Sequence, residues 1–136
     1  LQFSCTPFYL EAVKELEQYV DFYKIASYEL LWDDLIIECA KTKKDLVLST
    51  GMATLDEIEH AVEVFKTHSN SKLTLLHAIS GYPTPLKEAN LKAIETLRNK
   101  FKIDVVVFGS SADVASSLSK ISGFKVKALA IATRCF

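Results

Sequence analysis

Lys24 stands inside an apolar run, Phe22-Tyr23-Lys24-Ile25-Ala26. Burying an ammonium in such a run costs free energy unless an anion or an acid pairs with it, or its stem snorkels to water. Two partners fit: a structural carboxylate such as Glu29, or a bound anion, because perturbed charges in clefts cluster at functional sites. Small hydroxyl residues close the other early apolar runs. Thr6 lies in Ser4-Cys5-Thr6-Pro7, Ser27 follows Ala26, Ser49 opens Ser49-Thr50-Gly51, and Ser80 and Tyr82 lie in the stretch from His77 to Pro83. Hydroxyls, glycine-exposed amides and one ammonium are a phosphate- or carboxylate-binding set. His77 ends an apolar run but has no second metal-type ligand spaced near it, so a hydrogen-bonded structural role is expected. His60 and His68 fall on a helical stretch and its end, and are expected in solvent. Cys5, Cys39 and Cys135 form no C-x-x-C pair, so neither a zinc site nor a disulfide framework is indicated. Cys39 reads as a small buried hydrophobe.

The elements that must position these residues alternate along the chain. Near-continuous apolar runs at Leu1 to Cys5, Phe22 to Ala26, Leu46 to Leu48, Leu73 to Ile79, Asp104 to Phe108 and Val126 to Ala132 have the pattern of strands buried on both faces. Helical periods lie between them. Leu10, Val13, Leu16 and Val20 form one stripe, and Leu35, Ile36, Cys39 and Ala40 a second. Thr54-Leu55-Asp56-Glu57 is a capping-box pattern that opens a helix with Ile58, Ala61, Val62 and Phe65 inward. A fourth helix is expected from Leu86 to Phe101 with Leu91, Ile94 and Leu97 inward. A fifth is expected from Ala112 to Ile121, capped by Ser110 or Ser111 and stopped near Gly123. Trp32 is expected to pack at a helix start.

Each strand-helix unit is long enough for a right-handed parallel crossover. Two architectures accept the order: an open doubly wound sheet, or part of a (β/α)8 barrel. A complete barrel needs about 250 residues, and 136 residues do not close one. In either case the carboxyl ends of the strands share one rim, where such folds place their sites.

Composition narrows the function classes. Apolar residues make up 49% and charged residues 24%, as in an ordinary globular domain. Sixteen basic and 17 acidic residues leave a formal charge of −1, without the basic excess of a nucleic-acid binder. No apolar run reaches the roughly 18 residues of a membrane span. The first residues have neither an initiator Met nor a basic n-region, so a fragment is expected, and the odd, widely spaced cysteines point to a reducing, cytoplasmic setting. No linker or low-complexity segment divides the chain, and residues 1–136 read as a single domain.

Four ordered motifs carry a resemblance: Phe3-Ser4-Cys5-Thr6-Pro7-Phe8, Tyr23-Lys24-Ile25-Ala26-Ser27, Leu48-Ser49-Thr50-Gly51-Met52-Ala53-Thr54, and Leu76-His77 through Tyr82-Pro83-Thr84-Pro85. Over about Leu1 to Phe101 the chain resembles the N-acetylneuraminate (sialic acid) synthase family, which includes the pseudaminic and legionaminic acid synthases. The resemblance implies an incomplete TIM barrel of parallel (β/α) units, with about six of the eight strands. It implies a transferase that condenses phosphoenolpyruvate with an N-acetylated hexosamine, such as N-acetylmannosamine, to a nonulosonic acid, releasing phosphate. It further implies that Thr6, Lys24, Ser27 and Ser49 bind the phosphoenolpyruvate, and that Ser80 and Tyr82 contact the sugar or the intermediate. The family's cofactor is a divalent metal, manganese or magnesium.

The departures are specific. The family's first two strands and its C-terminal domain, which supplies an Arg to the partner's site in the dimer, have no counterpart in this sequence. Where the seventh strand of the family ends Ser-Asp-His, this chain reads Phe108-Gly109-Ser110. Where the eighth reads Glu-Lys-His-Phe, it reads Ala128-Leu129-Ala130-Ile131. Both metal histidines and a glutamate of the family pattern are thus missing. The expectation is a chain that holds no metal firmly and turns over poorly alone, with small-molecule partners, no nucleic acid and no membrane, and a homo-oligomer as a possible assembly. The alternatives are a non-catalytic α/β remnant that binds an anion or a partner, and an unrelated doubly wound domain. Against the latter, no Gly-rich first-turn fingerprint is present.

Overall fold

In a computed structural model of the chain, the structure describes residues 2–80 and 86–107, the backbone alone at Leu86. The apolar runs become strands β1 (Ser4–Cys5), β2 (Phe22–Ile25), β3 (Asp45–Ser49), β4 (Leu73–His77) and β5 (Asp104–Val107). Helices α1 (Leu10–Leu16), α2 (Asp33–Lys41), α3 (Leu55–His68) and α4 (Lys92–Phe101) connect them. Short 3-10 turns follow β2 at Ser27–Glu29 and β4 at Leu86–Glu88. The sixth strand and fifth helix expected from the sequence lie outside the described residues.

The five strands pair in sequential order, β1-β2-β3-β4-β5, and every pair is parallel. A doubly wound sheet reverses its strand order at a switch point; this one does not. The register divides the strand residues between two faces. Tyr23, Ile25, Leu46, Leu48, Leu73, Leu75 and Val105 join Val13, Leu35, Ile36, Cys39, Ile58, Val62, Phe65, Ile94 and Leu97 of the helices in one large core. Phe22, Val47 and Leu76, with Val106 against them, form a second cluster made of strand residues alone. The helix residues of the core all pack against one set of strand faces, and the other set faces its own strand neighbours. Sequential parallel strands with helices on one side are the arc of a (β/α)8 barrel, and the architecture is an incomplete barrel.

Local chemistry sets the element ends. Thr54 accepts from the Glu57 amide at 3.3 Å while the Glu57 carboxylate accepts from the Thr54 amide at 2.7 Å, the reciprocal cap expected from the sequence. The bond from the Thr54 amide, and after it the one from the Thr54 hydroxyl, hold the Glu57 carboxyl below the usual carboxylate range. α4 is shorter than the expected Leu86 to Phe101. Asn90 adopts a left-handed φ of 43°, which no continuous α-helix accommodates, so the segment splits into a 3-10 turn and a later helix. α1 likewise stops at Leu16, and Val20 is buried from the turn leading into β2 rather than from a fourth helical position.

Tyr23 ties two layers together. Its ring is buried in the core, and its hydroxyl donates to the Val13 carbonyl at 2.6 Å. Burial, with the neighbouring Cys39 and Glu17 adding to it, pushes the phenol from 10.0 to about 12. Burial and Glu38 push the Cys39 thiol from 9.0 to about 12. Both groups hold their protons more firmly folded than unfolded. Their stabilisation is complete below pH 9 for the thiol and pH 10 for the phenol, and is lost as pH climbs toward about 12. Urea unfolding across pH 8 to 12 should therefore show stability falling with a midpoint in that window. Tyr23→Phe should flatten the upper part of the decline and cost about 1 kcal/mol at pH 7 through the lost hydrogen bond.

Candidate functional site

β2 presents Lys24 on the face away from the helices, because its neighbours Tyr23 and Ile25 turn into the helix-side core and Lys24 pairs in register with Val47 of the strand-only cluster. Its side chain is half-buried there. Burial pushes the amine below its ordinary 10.5, and the Glu29 carboxylate opposes that shift. Glu29 sits on the 3-10 turn directly after β2, with Oε2 buried and without a hydrogen-bond partner among the described residues. Of the two partners the sequence left open for Lys24, Glu29 is thus near enough for its charge to be felt, but no ion pair closes between them among the described residues.

Beside Lys24 the ends of β2, β3 and β4 converge. Ser49 shares the helix-free face, two residues beyond Val47 and level with Leu76. It is buried and accepts a hydrogen bond from the Ser27 hydroxyl at 3.0 Å. The Gly51 amide donates to Ser27 Oγ, also at 3.0 Å. Ser80, from the segment after β4, reaches the same point: a Cβ built on Gly51 would stand 2.8 Å from Ser27 Oγ and 2.9 Å from Ser80 Oγ. Thr50 locks the rim, since its amide and hydroxyl both donate to the Leu76 carbonyl at 3.0 and 3.2 Å. Thr6 follows β1 directly. The β1–β2 register, Cys5 opposite Tyr23, sets it level with Lys24, and no hydrogen bond joins it to the serine cluster among the described residues. Tyr82 lies outside the described residues.

Ser27, Ser49 and Ser80 are thus brought together, with Lys24 on the same face. Sequence reasoning passed over two members. Gly51 was noticed only as a source of exposed amide, although its place directly after Ser49-Thr50 was a signal. Glu29 entered only as a structural partner, and nothing in its sequence context marks a buried, unpartnered oxygen.

The histidines stand elsewhere. His77 pairs in register with Val107 on the helix side, where its Nε2 lies 2.9 Å from the Ala89 carbonyl. His60 is exposed as expected but bridges both Asp33 oxygens at 2.9 Å, tying α3 to α2, and His68 contacts the Val64 carbonyl within α3. Among the described residues no three His, Cys, Asp or Glu side chains converge as a metal site. Trp32 stands at the start of α2 as expected, but its side chain makes no cap hydrogen bond and is exposed rather than packed. A cleft of roughly 420 Å³ opens between α3 and α4, lined by Thr50, Met52, His77, Asn90 and Thr96 among others, and contains none of Lys24, Ser27 or Ser49. No helix of the described residues is long and apolar enough to cross a membrane.

An ammonium on the helix-free face of a barrel arc, with hydroxyls clustered at the carboxyl ends of its parallel strands, defines a barrel-type protein with a candidate anion site at its rim. Residues 1–129 match the NeuB family, and the chain belongs to that family. An N,N'-diacetyllegionaminic acid synthase of Campylobacter jejuni is 37% identical over 125 residues, covering 90% of this chain and 37% of that protein. A pseudaminic acid synthase of the same species is 39% identical over 101 residues, covering 74% of this chain and 29% of that protein. The crystal structure of an N-acetylneuraminic acid (sialic acid) synthetase from Leptospira borgpetersenii, in complex with citrate, superposes with a TM-score of 0.73 at 36% identity, covering 78% of this chain and 37% of that one. The chain thus spans about a third of the length of the curated relatives it matches.

An anion held through Lys24 should follow the charge of that amine. Because burial lowers it, sulfate affinity should begin to fall at a pH below that of an exposed lysine. Sulfate keeps a constant charge over this range, so in calorimetric titration from pH 7 to 10.5 any pH dependence comes from the protein, and the part that Lys24→Ala removes is that of the amine.

Proposed function

We propose that this chain forms the phosphoenolpyruvate-binding side of a nonulosonic acid synthase site. In that reaction the enol carbon of phosphoenolpyruvate joins the aldehyde of an N-acetylated hexosamine, such as N-acetylmannosamine, and phosphate is released. The observation that carries the reading is the half-buried Lys24 on the same face as the Ser27–Ser49 hydroxyl pair, in a chain of this family. The ammonium neutralises charge on the phosphate or carboxylate. Ser49, Ser27 and Thr6 offer hydroxyls to its oxygens. Ser80 and Tyr82, which follow β4 in sequence, are assigned the contacts to the sugar or the intermediate.

Aldehyde polarisation is the role of the family's divalent metal. The described residues assemble no ligand set for it, so no step is assigned to it in this chain. Losing such Lewis-acid stabilisation costs several kcal/mol at the transition state, about a thousandfold or more in rate. On its own the chain is thus proposed to bind phosphoenolpyruvate without efficient turnover. The second reading, a non-catalytic anion-binding remnant, is favoured by the same absence of a ligand cluster among the described residues.

Phosphoenolpyruvate should raise the thermal midpoint of the wild-type chain, as any ligand of the native state does. Lys24→Ala should remove that stabilisation, whereas Lys14→Ala, on the exposed face of α1, should keep it. Equal shifts in wild type and Lys24→Ala would refute the assignment. Sugar-dependent phosphate release by the purified chain with manganese would show that the chain turns over alone. Phosphoenolpyruvate binding without release, even when polypeptide carrying the family's remaining strands is added, would favour the remnant.

A further inference from the structure

We infer that Gly51 is a positioning residue of the rim: its missing side chain is what allows the hydroxyls of Ser27 and Ser80, from two different loops, to gather beside Ser49. The inference rests on the anion-site reading for its ligand, but its geometry is independent of that reading. A Cβ at position 51 would stand 2.8 Å from Ser27 Oγ, 2.9 Å from Ser80 Oγ and 3.2 Å from the Ala78 carbonyl oxygen. The two hydroxyl contacts are closer than a Cβ tolerates, so both oxygens would have to move away, whereas the contact with the Ala78 carbonyl is only tight and is relieved by a few tenths of an ångström. The left-handed residue of this turn is Met52, with φ 67°, not Gly51. Glycine at position 51 therefore answers a demand for space rather than for backbone conformation.

The Gly51 amide adds a second role. It donates to Ser27 Oγ, and Ser27 in turn donates to Ser49 Oγ. The amide thus anchors the hydroxyl that orients Ser49, the buried member of the set. Two of the three close atoms are the ends of serine side chains, each free to turn about a single χ1. A methyl group at position 51 would be absorbed mainly by rotating those hydroxyls away, leaving the fold intact. Gly51→Ala should therefore spare the structure and dismantle the cluster, the reverse of what a packing glycine does.

The test uses the full chain and inorganic phosphate as probe. Gly51→Ala should weaken phosphate binding about tenfold or more, the scale of one lost hydrogen bond to a charged group, with an unchanged far-UV spectrum. In a Ser27→Ala/Ser80→Ala background, where both clashing hydroxyls are gone, adding Gly51→Ala should change the affinity by less than about twofold. Wild-type affinity in Gly51→Ala, or a full repeat of its loss in the double-alanine background, would overturn the proposal. If Gly51→Ala fails to fold but the triple variant folds, the steric contact is upheld; if both fail, it is refuted. Amide hydrogen exchange supplies a reading that needs no ligand: the residue 51 amide should exchange faster in Ser27→Ala, and unchanged exchange would refute the anchoring bond. A wild-type chain that binds no phosphate but shows this exchange response would overturn the anion reading while upholding the cluster geometry, which separates the two failures.

Discussion

The parallel register of β2 against β3 is the constraint on which the rest depends. With Tyr23 opposite Leu46 and Ile25 opposite Leu48, both large side chains enter the helix-side core, and Lys24 is left opposite Val47 on the other face. A slip of one residue would exchange the faces, sending an ammonium among Leu35, Ile36 and Phe65 and taking a tyrosine and an isoleucine out of that core. Burying two such side chains contributes about 3–6 kcal/mol, whereas an unpaired buried ammonium costs several. The register is therefore set by the core. The position of Lys24, and the desolvation it suffers there, are consequences of that register.

The rim is built from contacts that cross the sheet. Ser27 and Ser49 are 22 residues apart and meet because β2 and β3 are adjacent and end level. Thr50 then fastens the end of β3 to Leu76 of β4, which fixes the loop carrying Gly51 against the segment carrying Ala78 and Ser80. Three consecutive strand ends thus share one small volume. Such a volume is polar, backed by Phe22, Val47 and Leu76 below it, and that combination of an apolar floor and converging hydroxyls suits recognition of a small anion.

Membership of the NeuB family and the barrel arc agree with each other, and both separate what this chain contributes from what its relatives have in addition. The described residues carry a hydroxyl and ammonium rim but assemble no cluster of metal-type ligands, and His77, the histidine that ends a strand, is turned into the helix layer and bonded to the Ala89 carbonyl.

The order and type of the elements were legible in the sequence. Near-continuous apolar runs marked β2 to β5 within a residue or two, and the 3.6-residue period of Ile58, Ala61, Val62 and Phe65 marked the buried face of α3. The Thr54–Glu57 cap was legible because it is a local exchange of hydrogen bonds over four residues. Lys24 was conspicuous as a charge out of place. What the sequence could not decide was the face. Strands of a parallel sheet are apolar on both sides, so they lack the alternation that would tell the helix side from the other. Only the paired strands placed Lys24 and Ser49 away from the helices and His77 toward them. The break at Asn90 was equally hidden, because a left-handed residue leaves the apolar spacing of Leu91, Ile94 and Leu97 intact. The meeting of Ser27, Ser80 and Gly51 is a contact among three loops distant in sequence, and the space it requires exists only once the strands that carry them are aligned.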